Sequence, residues 1–214
     1  MPVDALQAMP VAHAWDDGDP YLSVGDPDPK VVQALRGVSQ RAKKAFAIAA
    51  AEWVVFRFGK LSESPLPLYY VEASWAGLVK WKLCYLWDPG HKDKDGPVRG
   101  PIDMTMRELT NCHRALKLGE GEIHAATIDK IARHVIPDPA SYLAWQKEAL
   151  ARLHALYPLN PDDPFGPLVP RQALDPGVPL AEVAPDEAGP LLNAYVNGLD
   201  FDKNEFLNKA ALAS

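Results

Sequence analysis

Cysteine occurs only twice in the 214 residues, at Cys84 and Cys112. Two thiols do not by themselves make a zinc-finger ligand set or staple a small scaffold, and they are expected to be small core hydrophobes in a reducing compartment rather than partners in a bridge. Long apolar runs are missing as well. The most apolar stretch, Ala45 to Phe58, is interrupted by Glu52 and Arg57 and falls short of the roughly 20 residues that a bilayer span requires. Lys and Arg are absent from Met1 to Gly18, which contains Asp4, Asp16 and Asp17 and no apolar core of the signal-peptide kind. The expected location is the cytoplasm, with no membrane partner.

Signature motifs are absent too. There is no Gly-x-Ser-x-Gly elbow, no P-loop, no dinucleotide-binding glycine fingerprint and no kinase signature. His113, His124, His134 and His154 have neither a His four residues on nor a Glu three residues before, so the metalloprotease helix and the di-iron bundle patterns are both missing. No metal and no cofactor is expected.

What is present is material for a core. Apolar residues make up 48% of the chain, six of them tryptophans, and charged residues only 23%, which separates it from disordered sequences. The charge is unevenly placed. Residues 1–28 contain six acidic and no basic side chains; residues 158–214 contain nine acidic and three basic, Arg171, Lys203 and Lys209. Residues 29–157 therefore hold 19 basic against 13 acidic side chains. Either the basic middle or the acidic arms meet a partner of opposite sign, or arms and middle neutralise each other within the fold.

Proline divides the chain in the same way. Nine of the 21 prolines lie within residues 158–190, which excludes a helix or a central strand there. Leu159, Phe165, Leu168, Val169, Leu174, Val178, Leu180 and Val183 are too frequent for a solvated tether, so this stretch should lie along a helical body. Three parts of one domain follow: an acidic arm (1–28), a helical core (29–157) and a proline-rich acidic segment packed on it (158–214).

Asp28 and Pro29 form a helix start, and apolar residues at spacings of three and four from Val31 through Phe56 predict one long helix ending near Phe58. Leu68 to Trp87 is read as a helix, although Lys80 to Leu83 alternates as a strand would. Asp88 to Pro101 is an exposed loop, a third helix begins near Pro101, a fourth runs from Ile123 to Val135, and Asp138-Pro139 starts a fifth that lasts to Pro158. Short helical pieces follow around Leu191–Asn197 and Glu205–Ala211. The fold class is mainly α: an irregular bundle of about five principal helices with a proline-rich wrap and short terminal helices.

Glu52 and Glu72 lie inside apolar helical stretches, where an ionised carboxylate costs several kcal/mol unless paired. Arg57, Arg99, Arg107, Arg114 and Arg133 are the candidate counter-ions. The functional reading is an acid/base pair or a pocket lining, an enzyme site assembled from Glu52, Glu72, Arg99, Arg107 and His113; the structural reading is a network that fixes how two helices face each other. Arg99, framed by Gly96 to Pro101 with Lys92 and Lys94 nearby, is a candidate anion site. Trp53, Trp75, Trp81, Trp87 and Trp145 resemble stacking platforms, but net charge −6 argues against nucleic acid.

The expected function is binding to another protein rather than catalysis. Its sharpest form is an immunity-type inhibitor that occludes a basic toxin through Asp162, Asp163, Asp186, Glu187, Asp200 and Asp202. The alternatives are the enzyme just described and an adaptor or scaffold that presents its acidic tail.

Overall fold

The computed structural model describes residues 3–87, 95–116 and 118–212. Among them are nine α-helices and no strand: α1 (Val3–Ala8), α2 (Pro20–Val24), α3 (Pro29–Arg36), α4 (Gln40–Arg57), α5 (Leu66–Val79), α6 (Gly96–Ala115), α7 (Gly121–Val135), α8 (Ala140–Leu156) and α9 (Ala188–Asn197). The fold is mainly α, and its five helices of 14 residues or more are α4 to α8.

The helix start at Asp28-Pro29 forms as its chemistry requires, with Asp28 Oδ1 accepting from the Lys30 amide at 2.9 Å. The single long helix does not. Gly37 closes α3, and Ser39, in extended backbone, caps α4 by accepting from the Ala42 amide at 3.3 Å. Apolar spacing runs unbroken across this joint because the buried Val38 continues the stripe while leaving the helix. All of α4 except Arg41 and Phe56 is buried, as befits a helix apolar on nearly every side, and it packs against α5, α6 and α7.

Three further boundaries depart from the sequence reading. After α5 the chain makes a 3₁₀ turn at Trp81–Leu83, and Cys84 pairs with Leu207 as an isolated antiparallel bridge, so Leu68 to Trp87 is a helix only as far as Val79. Helix α6 begins at Gly96, five residues before Pro101, and carries that proline within it. Proline at 101 cannot donate to the Pro97 carbonyl; that oxygen is instead 2.7 Å from Nε2 of His13, so the lost ladder bond becomes a tie to the N-terminal arm. The piece expected at Glu205–Ala211 is a 3₁₀ turn at Lys209–Leu212.

The C-terminal segment completes the body. The first free amides of α4 are met by its carbonyls: Gln40 N donates to Pro164 O at 2.9 Å and Arg41 N to Phe165 O at 3.2 Å. Proline-rich chain has few amides to offer but keeps every carbonyl, and α8 uses them. Trp145 Nε1 donates to Leu174 O (2.9 Å), Arg152 Nε to Ala173 O (2.7 Å), and the Tyr157 hydroxyl, at the end of α8, to Val183 O (2.6 Å). Val169, Ala173, Leu174 and Val183 are buried beneath these bonds. At the other end Leu6 of α1 is fully buried against the same core.

Candidate functional site

Glu52 projects from the middle of α4 and Glu72 from α5, so the packing of these two helices decides whether the carboxylates meet. They line one hollow of about 450 Å³ together with Phe56, Val71, Arg171, Tyr195 and Leu199. A second hollow of about 260 Å³ has Glu52, Arg171 and Tyr195 in common with it and adds Trp53, Trp145, Gln172, Leu174 and Asp175. The two form one groove beside α9 and the 3₁₀ turn Arg171–Leu174.

Glu52 is 6% exposed. Its Oε1 accepts from Trp75 Nε1 at 2.9 Å and lies 2.9 Å from Nε of Arg171. Burial pushes its carboxyl above the usual range, while the Arg171 charge and the indole hydrogen bond oppose that shift. Glu72 is half-buried and is likewise held high by burial, against an Asn204 hydrogen bond of 3.1 Å and reinforced by the Asp200 charge. Burial and the charges of both glutamates raise the Tyr195 phenol. Carboxylates, a guanidinium and aromatic rings thus converge where solvent can still enter.

The counter-ion of Glu52 is Arg171, from outside the five arginines named from sequence. Each of those is placed elsewhere. Arg57, fully buried at the end of α4, donates to the Pro10 carbonyl at 2.8 Å and lies over the Phe58 ring; Arg107 pairs with Asp103 on its own helix at 3.3 Å; Arg133 pairs with Asp28 at 3.2 Å. Arg114 and Arg99 are exposed, and Arg99 stands in the first turn of α6. Lys92 and Lys94 lie outside the described residues. A signal for Arg171 did exist, because it is the single basic residue between Pro158 and Asp202, in a stretch whose apolar side chains already predicted packing.

His113 belongs to a different cluster. Lys44, 1% exposed, places Nζ 2.6 Å from His113 Nδ1, and the imidazole stacks on Trp81 with centroids 3.4 Å apart. Burial brings the Lys44 amine down to about 8, and Cys84 and Cys112, both free thiols, are pushed up by burial around it, Cys112 to about 12. A third polar knot ties α2, α6 and α7: the buried Glu108 accepts from the Tyr21 hydroxyl at 2.7 Å and contacts His124 Nδ1 at 2.7 Å. The five-residue enzyme constellation is therefore not gathered in one place; the groove contains only its two glutamates.

Among the described residues no three His, Cys, Asp or Glu side chains come together as a metal site, and no helix is long and apolar enough to cross a membrane. The acids expected to contact a partner, Asp162, Asp163, Asp186, Glu187, Asp200 and Asp202, are all exposed. In comparison with known proteins, the chain matches no family model, no curated protein and no solved structure.

Proposed function

We propose that this protein works by binding another protein of basic character, and that its sharpest form is an immunity protein covering the active cleft of a cognate toxin. One observation carries the reading. Among the described residues, no acidic side chain of 158–214 forms an ion pair with a base of the helical core except through contacts of its own segment, Asp200 with Lys203 at 3.0 Å and Asp202 with Lys209 at 2.7 Å. Five bases of the core pair with acids of the core or of the N-terminal arm: Arg36 and Lys43 with Glu122, Lys60 with Asp4, Arg107 with Asp103, and Arg133 with Asp28. Mutual neutralisation thus accounts for part of the N-terminal arm and leaves the C-terminal acids facing solvent. Such a surface accelerates encounter with a basic partner and selects against acidic ones.

The immunity form is tested by co-expression with the toxic product of a neighbouring reading frame. Rescue of growth supports it, and failure of rescue with both proteins expressed removes it. A second reading, an enzyme built on Glu52 and Glu72, draws on the single hollow that both line. Turnover of a small molecule by the purified chain, lost on Glu52→Gln, would replace the binding reading with that one.

A further inference from the structure

We propose that the groove between α4, α5, α9 and the Arg171–Leu174 turn is a receptor for a guanidinium, the side chain of an arginine presented by the basic partner. The proposal rests on the protein-binding reading and specifies what that partner inserts. Glu52 and Glu72 line one hollow and Glu52 and Asp175 the other, and among the described residues Arg171 is the one Lys or Arg side chain lining either. Glu52 contributes a buried carboxylate: Oε1 is engaged by Trp75 and Arg171, and no described residue donates to Oε2. The walls beside it are aromatic, Trp53, Trp145 and Tyr195, and aromatic faces attract a partly desolvated cation.

Arg171 itself shows what fits. Its side chain is 44% exposed, yet its Nε is held 2.9 Å from Glu52. The chain's own guanidinium therefore occupies one edge of the groove, forming a wall common to both hollows. An incoming guanidinium would find Oε2 of Glu52 and the Asp175 carboxylate unpaired with any base among the described residues, and the planar fork of arginine suits two carboxylates better than the point charge of lysine. An anionic ligand would meet two carboxylates for one arginine in either hollow and is disfavoured.

Arginine amide is the probe. Titration of the full chain, followed by tryptophan fluorescence and by calorimetry, is expected to show saturable binding that weakens with salt, with leucine amide and glutamate inert. Glu52→Gln keeps an oxygen acceptor for Trp75, and its thermal unfolding should remain cooperative; it and Asp175→Asn are each expected to weaken arginine amide roughly tenfold or more. Absence of saturable binding, equal binding by Glu52→Gln, or tighter binding of glutamate than of arginine amide would overturn the proposal. The two readings fail separately: a protein partner whose affinity survives both substitutions keeps the binding function and removes this site. Arginine amide binding that depends on Glu52, with no protein partner engaged, does the reverse.

Discussion

At the scale of single residues, Lys44 is a costly group in the interior. A buried amine whose described hydrogen bond goes to an imidazole is desolvated with no carboxylate partner among the described residues, and its folded-state pKa falls from 10.5 to about 8. Between those two values the unfolded chain binds more protons than the folded one. Stability from this group is therefore full above about pH 10.5 and is lost as pH falls through about 8. Lys44→Met should stabilise the protein at pH 7 by up to about 3 kcal/mol, and the gain should shrink toward zero near pH 10.5. Urea unfolding of both proteins at the two pH values checks this, since other titrating groups cancel in the difference; a variant less stable at both would contradict it. That Glu52 needed a partner was legible from sequence, because a carboxylate inside an apolar helix has few alternatives. Which partner was not, because Arg171 is 119 residues away and only the path of the chain brings it near. For Lys44 the sequence was silent: on a helix read as one-sided, a lysine belongs outside.

At the scale of elements, the C-terminal wrap acts as the missing cap and outer wall of α4 and α8. Its carbonyls receive the first amides of α4 and the side-chain donors of α8, and its few apolar residues seal the core at the groove. Leu174 is 2% exposed and its carbonyl holds Trp145. Leu174→Ala should cost about 2–5 kcal/mol, read as a lower denaturation midpoint with an unchanged slope. An effect under about 0.5 kcal/mol would mean that the segment lies loosely on the surface. Periodicity was a good guide to α7 and α8, whose apolar stripes face one side, and a poor one at the joints. Gly37 to Ser39 interrupts a helix without interrupting its apolar spacing, Pro101 sits inside a helix because His13 takes up the freed carbonyl, and Lys80 to Leu83 alternates without pairing as a strand. In each case a contact from a distant segment overrides the local pattern.

At the scale of the whole molecule, charge is sorted rather than balanced. Five bases of the helical core pair with its own acids and those of the N-terminal arm, and among the described residues the exposed carboxylates of the last third form no ion pair with the core. The unequal distribution of charge was readable from composition by segment; that the C-terminal acids form no ion pair with the core depends on where the fold places the two. The most direct test is calorimetric titration of the purified chain with the basic protein that co-purifies from its host. Wild type is compared with a variant carrying Asp162→Lys, Asp163→Lys, Asp186→Lys and Glu187→Lys. Wild-type affinity is expected to fall with added salt, and the variant to lose about a hundredfold. Equal affinity of the two proteins, insensitive to salt, would contradict this expectation.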